Sequence, residues 1–464
     1  MKTLKQIQQF SKKNNFELQD KSILVACSGG VDSMVLTDIL SKLDNIKKIG
    51  IAHCNFSLRA DESDGDEKFI RNYAKEKNID FHSIKFNTKK LAEEKQKSIQ
   101  LIARELRYDF FEKISSKEGY EFVATAHHLS DSLETSLYHL SKGSGISGLR
   151  GIVPKRSIYK NSQAKIIRPL LCLTKQEILN YAKENNLKWR EDASNQTEKY
   201  KRNFIRHQIV PKLKDINPDT EKTFLDTSER LRAMENLLRF HLKTFEKTLS
   251  KREDKSILIR TETIRNIVEP LLIVSEFLKK YGFSYKQSKQ ILEQLDSQDT
   301  KSKTFFAKSH TLFTNQEEWI LRDKNDKKTN FEEIEIDFND NGKYLIKNKK
   351  DKTILTLEKQ NADKADFKSK SMYVDAHKLK FPLMLRKWQN GDRFIPLGMR
   401  NSKTIGNFLT DLKIPIYQRD FVYILESDKT IFWVGIIEES KVEHLRIGEK
   451  YRLESNSKYI MKIS

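Results

Sequence analysis

Between Ser22 and His139, apolar β-rich runs alternate with segments of helical period. The helical segments, such as DEKFIRNYAKEK and IQLIARELRYDFFEKI, repeat apolar residues at spacings of three and four. Strands that alternate with helices in this way predict a parallel, doubly wound α/β sheet with helices on both faces. The predicted strands are Ile23–Cys27, Ile49–His53, Asp80–Phe86 and Phe122–Ala126.

The pattern changes after residue 215. An apolar residue recurs every seven positions at Phe224, Leu231, Leu238 and Phe245. This repeat predicts a long amphipathic helix that opens a mainly helical middle domain, and its early end favours packing inside that domain over a partner-binding zipper. Alternating residues from about 304 to 357 predict a strand-rich end, and turn-bounded strands from about 372 predict a small α/β or mostly β C-terminal domain. The predicted domains are 1–215, 216–360 and 361–464.

The charge of the chain points to a polyanionic partner. Its 464 residues include 86 Lys and Arg against 65 Asp and Glu, a net charge of +21. No single tail carries this excess, so a nucleic acid is the expected partner, although a Lys-rich proteome explains part of such a charge.

The three cysteines, Cys27, Cys54 and Cys172, form no CxxC pair. Their spacing argues against a disulfide framework, a zinc ribbon and a cysteine-held iron–sulfur cluster, and it favours a reducing compartment. The N-terminal segment lacks the apolar core of a signal peptide, and no run reaches the roughly 18 apolar residues of a membrane span. We therefore expect a cytoplasmic location and no membrane partner.

The first predicted strand runs into the segment SGGVDS, residues 28–33. Two glycines let backbone N–H groups converge, and the following helix directs its positive end at the same point, so the turn predicts an anion site. Asp32 would repel a phosphate unless a divalent cation lies between them, which suggests phosphate with Mg²⁺. The alternative is a plain strand-to-helix turn with a Ser cap. A Walker motif is absent, and GSGISG at 143–148 follows a helical pattern, so the dinucleotide interpretation fails.

Polar residues also follow the second and fourth predicted strands. They are His53, Cys54 and Asn55 with Arg59 beyond, and Thr125, His127 and His128 with Asp131 beyond. In a parallel sheet these strand ends meet at one edge, where ligands bind. Zinc held by the histidines is disfavoured because adjacent positions point apart and no further ligands have suitable spacing.

These motifs resemble a known family. SGGVDS is similar to the signature of the N-type ATP pyrophosphatases, or PP-loop proteins. HCNFSLR, ARELRYDFF, TAHHLSDSLET, KGSGISGLRG, IIRPLL with TKQEI, and WREDASNQTEKYKRNFIRHQIVPKL follow the order and spacing of the tRNA(Ile)-lysidine synthetase family. The resemblance is dense from residue 22 to about 214, and it returns in RKWQNGDRFIPLGMRNSKTIGNFLTDLKIPIYQRD.

The resemblance implies an ATP-dependent ligase of two steps. The C2 oxygen of the wobble cytidine of tRNA(Ile) with a CAU anticodon attacks the α-phosphate of ATP and releases pyrophosphate. The ε-amine of free L-lysine then attacks C2 and expels AMP, which gives lysidine and changes decoding from AUG to AUA. The physical demand is neutralisation of the pyrophosphate charge first and a deprotonated amine second.

The resemblance also implies roles for individual residues. The expected catalytic residues are Asp32, Arg107, Asp131, Glu134, Lys175 and Arg202. The expected ATP-binding residues are Ser28, Gly29, Gly30, Val31, Asp32, Ser33, His53, Asn55, Arg59, Arg104 and His128. Mg²⁺ would lie on Asp32 and Asp131, and tRNA on Arg202, Asn203, Arg206, Arg386, Lys387, Arg393, Lys403 and Arg419.

Several of these residues could instead have a purely structural role. Arg104 and Arg107 lie three apart on a predicted helix and could be surface ion pairs. Asp131 and Glu134 could bind Mg²⁺, hold the lysine ammonium and accept its proton, or simply cap a helix.

The chain departs from the family pattern in two places. It has Ser130, Asp131 and Ser132 where the family usually shows Asp-Asp-Gln, and its last segment, VGIIEESKVEHLRIGEK, lacks the usual Arg and Asp. Two other functions stay open, a tRNA thiolase of the same superfamily and a non-catalytic RNA-binding relic. The sequence leaves the oligomeric state open, with a homodimer as one option.

Overall fold

The computed structural model describes residues 2–58, 61–190, 201–252, 255–295, 302–325, 333–337, 343–347, 353–438 and 441–464. The chain divides into two compact units, residues 1–237 and 238–464. Among the described residues, no helix combines the length and apolar character that a membrane crossing requires.

The first unit is built on a six-stranded sheet of order β3-β2-β1-β4-β6-β5. All neighbouring strands are parallel except the edge strand β5, which pairs antiparallel with β6. The strands are β1 Ser22–Ala26, β2 Lys48–Asn55, β3 Asp80–Lys85, β4 Phe122–Ala124, β5 Lys155–Ser157 and β6 Lys165–Ile167.

Helices surround this sheet. They are α1 Lys2–Lys13, α2 Val31–Ser41, α3 Asp61–Glu76, α4 Thr88–Glu94, α5 Ile99–Glu118, α6 Leu129–Leu140, α7 Ile146–Leu149, α8 Lys175–Glu184, α9 Lys201–Phe204, α10 Val210–Ile216 and α11 Thr220–Lys247. A π-helical turn, Ile205–Ile209, joins α9 to α10.

Alternate residues of β1 enter two different cores. Ile23 and Val25 pack with residues of α1, α2 and α8, whereas Leu24 packs with the aromatic residues of α5 on the opposite face. This period of two is what a strand covered on both faces requires. The observation confirms the predicted doubly wound α/β class, and it places the ends of β1 and β4 side by side.

The first half of the second unit packs helices against an antiparallel sheet of order β7-β8-β11-β10-β9. Phe277, Ile291 and Trp319 lie in their shared core. The strands are β7 Ser250–Lys251, β8 Ile257–Arg260, β9 Lys303–Phe306, β10 His310–Thr314 and β11 Glu318–Asp323, and the helices are α12 Thr261–Arg265, α13 Pro270–Lys279 and α14 Tyr285–Leu295.

The second half is mostly β, as expected. A five-stranded sheet, β12-β16-β19-β20-β21, and a four-stranded sheet, β13-β14-β22-β15, share one core around Leu385, Trp433 and Met461. A small β17-β18 pair and two helices complete it. The strands are β12 Ile334–Ile336, β13 Lys343–Lys347, β14 Thr353–Asn361, β15 Met372–Asp375, β16 Leu383–Lys387, β17 Arg393–Phe394, β18 Lys403–Thr404, β19 Val422–Ser427, β20 Thr430–Glu438, β21 Lys441–Ile447 and β22 Tyr459–Ile463, with helices α15 Ile405–Asp411 and α16 Ile416–Arg419.

Candidate active site

The turn between β1 and α2 has the geometry of an anion nest. Gly29 has a φ of +87°, which only glycine adopts without strain, and Gly30 is the N-cap of α2. The Ser33 hydroxyl fixes the turn, since it accepts a hydrogen bond from Ser28 N at 3.2 Å and donates one to Gly30 O at 2.9 Å. Within the described chain, no protein acceptor pairs with the backbone amides of residues 29 to 32. Four donors are therefore available at the positive end of α2.

Asp32, in the first turn of α2, makes an ion pair with Lys175. The distance from Lys175 Nζ to Asp32 Oδ1 is 2.5 Å, and both side chains keep about a third of their surface exposed, 39% and 31%. Lys175 begins α8, which Thr174 and Glu177 cap reciprocally. This pair brings two residues that the sequence predicted as catalytic together beside the nest.

Two carboxylates from α6 share one arginine. Arg206 donates to Glu134 through Nε at 2.7 Å and Nη2 at 3.0 Å, and Nη2 lies 3.2 Å from Asp131 Oδ1. The other Asp131 oxygen accepts a hydrogen bond from His128 N at 3.0 Å. Arg206 was predicted to contact tRNA, but in the structure its guanidinium joins the predicted catalytic acids.

The surroundings shift the pKa values of Asp131 and Glu134 in opposite directions. Burial raises the pKa of Glu134 despite its hydrogen bonds with Arg206. Burial also disfavours ionisation of Asp131, but its electrostatic interactions with His128 and His127, the hydrogen bond from the His128 amide and the charge of Arg206 outweigh this effect and lower its pKa. The hydrogen bond with Glu134 raises the pKa of Arg206, and the negative charge of Asp32 adds to this effect.

The π-helical turn explains how Arg206 reaches α6. Val210 N donates to Ile205 O, five residues back, and Pro211 has no N–H with which to continue the α-helical ladder. The extra residue rotates the Arg206 side chain toward α6. Arg202, one turn earlier, is exposed, and Asn203 is half-buried.

Two predicted histidines fit a ligand, whereas Asn55 is already engaged. His53 Nδ1 lies 3.0 Å from Cys27 O, and buried His53 Nε2 and His128 Nδ1 have no protein partner among the described residues. Buried polar atoms are usually hydrogen-bonded, so these two nitrogens are candidate contacts for a ligand. The Asn55 side chain instead donates to Asp64 at 2.8 Å, which fixes the loop after β2.

Three further arginines were predicted for the site, Arg59 and Arg104 as ATP-binding residues and Arg107 as a catalytic residue. Arg104 stacks on the Tyr108 ring at 4.8 Å and Arg107 on the Phe56 ring at 5.3 Å, and both are exposed. Neither makes an ion pair within the described chain. Arg59 lies outside the described residues.

The five residues predicted to bind tRNA in the second unit are not equivalent. All N–H groups of Arg386 are used inside the domain, by Asp392, Glu426 and Lys387 O. Arg393 is exposed, and its side chain donates hydrogen bonds to Ser402. Lys403 pairs with Asp411, Lys387 lies over the Tyr423 ring, and Arg419 donates to Ile414 O and Thr410.

Three segments of the chain match known families. Residues 1–213 match a PP-loop domain, residues 252–324 a TilS substrate binding domain, and residues 383–442 a TilS substrate C-terminal domain.

Relatives named tRNA(Ile)-lysidine synthase match nearly the full length. The protein of Parabacteroides distasonis is 32% identical over 96% of this chain and 95% of its own. That of Bacteroides thetaiotaomicron is 33% identical over 95% and 96%, and that of Bacillus subtilis 30% identical over 97% of each chain. They confirm the family predicted from the sequence and favour it over both alternatives. With the PP-loop domain and the nest at the end of β1, they show that the chain belongs to the tRNA(Ile)-lysidine synthase family.

Proposed function

We propose that this chain uses ATP to attach free L-lysine to C2 of the wobble cytidine in tRNA(Ile) with a CAU anticodon. Pyrophosphate leaves when the cytidine oxygen is adenylated, and AMP leaves when the lysine amine attacks C2. The observation that carries the proposal is that a site for an anion and a site for a cation lie at the ends of two neighbouring strands. A nest of free amides follows β1, and a pair of carboxylates follows β4.

The nest suits the first step. Four free amides and the positive end of α2 can hold the β- and γ-phosphates while charge develops on the leaving pyrophosphate. The unpaired nitrogens of His53 and His128 supply further polar contacts for a nucleotide. The Ser33 hydroxyl donates its proton to Gly30 O within the turn, so its contribution is to hold the nest in shape.

The carboxylate of Asp32 fits a magnesium ion. Lys175 engages only the Oδ1 of Asp32, which leaves Oδ2 available to a metal ion, and Mg²⁺ in phosphate sites needs one or two carboxylates besides phosphate oxygens and water. A bound Mg²⁺ would neutralise phosphate charge there. Asp131 fits less well, because N–H donors already engage both its oxygens.

The acid pair suits the second step. With Arg206 counted, the ionised pair keeps one net negative charge, enough for one ammonium group. Asp131, with its lowered pKa, stays ionised and can hold that group, whereas Glu134, with its raised pKa, is the better proton acceptor. We therefore assign deprotonation of the lysine ε-ammonium to Glu134.

The cysteines do not support sulfur chemistry. Burial raises the pKa of Cys54 and of Cys172 to about 12, and burial also raises the pKa of Cys27. A thiol in such surroundings is a poor nucleophile.

For tRNA, the exposed residues offer the better contacts. Arg202, Phe204 and Arg393 are exposed, and the net charge of +21 supports broad attraction to phosphates. The Arg386 guanidinium, with every donor engaged, supports the domain instead. The cytoplasmic location and the oligomeric state stay predictions.

Incubation of the protein with ATP, L-lysine and a tRNA(Ile) transcript tests the proposal. AMP should form only when lysine and the tRNA are both present, and the tRNA should gain the mass of lysine less water. AMP formation that needs a sulfur donor would indicate a thiolase instead.

Asp32→Ala distinguishes an enzyme from a non-catalytic RNA-binding protein. The variant should lose pyrophosphate release but keep its tRNA affinity, because phosphate contacts spread over the chain carry that affinity. Unchanged turnover would remove the role assigned to Asp32.

A further inference from the structure

Arg168 is a buried cation without a counter-ion. It follows β6, is 4% exposed, and donates from Nη1 to Val153 O at 2.6 Å. Its Nε is buried and has no hydrogen-bond partner, and no carboxylate of the described chain pairs with its guanidinium. An uncompensated charge in the interior is strongly unfavourable, so we expect an anion to join this guanidinium.

Two further arginines converge beside Arg168. The guanidinium carbons of Arg104 and Arg156 each lie 4.8 Å from the centre of the Tyr108 ring. Burial, followed by repulsion from Arg156, Arg104 and Arg150, lowers the pKa of Arg168 to about 10 despite the nearby Tyr108. Arg104, Arg156 and Arg168, here called the arginine cluster, form no ion pair within the described residues. Arg168 belongs to the IIRPLL motif, but the sequence analysis predicted no role for it or for Arg156.

Arg168 follows the strand beside β4, the strand that leads to the acid pair. Strand β6 pairs with β4, and Thr125 N, at the end of β4, donates to Ile167 O, the residue before Arg168. The chain then runs through His127 to Asp131. Burial and the positive charge of Arg168 lower the pKa of His127 to about 4, while Asp131 opposes this shift, so a neutral His127 lies between the two charged groups.

We propose that the arginine cluster binds the α-carboxylate of the amino acid substrate while Asp131 and Glu134 hold its ε-ammonium. This inference rests on the proposed function and adds the residues that select a zwitterion with a charge at each end. Because Arg168 is only 4% exposed, the cluster suits a small carboxylate better than the backbone of a folded RNA. A phosphate of ATP is the other small oxyanion to be distinguished.

Substrates that differ only at the carboxylate test the proposal. With the full chain, ATP and tRNA, we would compare L-lysine with L-lysinamide and 1,5-diaminopentane, which keep the ε-amine but lack the negative charge. The wild-type protein should prefer L-lysine by about 30-fold or more in kcat/KM, the effect of losing a charged hydrogen-bonding partner.

Arg168→Gln should raise the KM for L-lysine and abolish most of this preference, while the KM values for ATP and tRNA change less than about twofold. Arg156→Gln, at a half-buried position, should also reduce the preference for L-lysine. This variant tests the inference if Arg168→Gln does not fold. Arg232→Gln is the matched control, since Arg232 is another poorly exposed arginine of the first unit, beside Glu229.

Three results would overturn the inference. The first is that the wild-type protein uses 1,5-diaminopentane as well as it uses L-lysine. The second is that the variants raise the KM for ATP and not the KM for lysine. The third is that the variants keep the full preference for L-lysine. Failure of the proposed function itself looks different, because the wild-type protein would then form no lysine-dependent AMP.

Discussion

Arg206 and Glu134 form a two-point ion pair, with Nε 2.7 Å from Oε1 and Nη2 3.0 Å from Oε2, between segments 72 residues apart in the chain. The Glu134 side chain is 4% exposed and that of Arg206 37% exposed. Because Glu134 is the buried partner, removing Arg206 leaves a carboxylate that neither water nor another arginine can satisfy.

A double-mutant cycle on this pair measures its coupling. Arg206→Ala should destabilise the protein by about 2 kcal/mol, at the lower end for a broken pair because Arg206 is partly exposed. Arg206→Ala combined with Glu134→Gln should cost less than the sum of the two single changes, since the orphan charge is gone. Urea unfolding of the four proteins gives the coupling, and strict additivity would mean that the pair contributes no net interaction.

The left-handed backbone at Gly29 allows a test of the nest with a matched control. In Gly29→Ala the new Cβ meets Ile70 at 3.5 Å and Phe69 at 3.9 Å, both ordinary contacts, so the cost is backbone strain of about 1 kcal/mol. Displaced amides should also lower ATP turnover by about 100-fold.

Gly119→Ala carries the same backbone penalty elsewhere. Gly119 has a φ of +73° at the end of α5, and an added Cβ would meet no atom within 4 Å. Its thermal stability should fall about as much as that of Gly29→Ala, but pyrophosphate release should stay at the wild-type rate. Equal loss of turnover in both variants would show that the effect is one of stability.

The contrast between Arg393 and Arg386 predicts two different responses to salt. Removing one phosphate contact lowers the slope of log Kd against log salt by about one, so Arg393→Gln should reduce the slope for tRNA by about that amount. Arg386→Gln should leave the slope unchanged but lower the stability of its domain, because it breaks an ion-pair network with Asp392 and Glu426. Filter binding from roughly 50 to 200 mM salt measures both slopes, and urea unfolding measures the stability of Arg386→Gln. The reverse pattern would reassign the two arginines.

Much of the first unit could be predicted because its signals are local. The strands β1, β2 and β3 are five to eight residues long, long enough for a strand pattern to show, and SGGVDS carries its own turn chemistry. Strands β5 and β6 were missed because three residues each, KRS and KII, are too short for a period to show.

The parts of the site that could not be predicted depend on distant contacts. A single extra residue in a π-helical turn is invisible to a 3.6-residue period, yet it directs Arg206 to acids 72 and 75 residues away. In the same way, only the pairing of β4 with β6 brings Arg168 next to His127. The sequence also could not show that Arg386 pairs with Asp392 and with Glu426 of β19.

The buried imidazole of His127 predicts loss of stability in mild acid. Its pKa is lowered to about 4, first by burial and then by Arg168, whereas in the unfolded chain a histidine takes up its proton near pH 6.5. Between these values the unfolded state binds more protons, so stability falls as the pH is lowered through this window. His127→Asn can keep a hydrogen bond to Thr125, which now lies 3.0 Å from Nδ1, and it removes the titration. From pH 7 to pH 5 the wild-type protein should lose about 2 kcal/mol more than the variant, measured by urea unfolding at each pH. If the two proteins lose stability in parallel, another group controls the acid response.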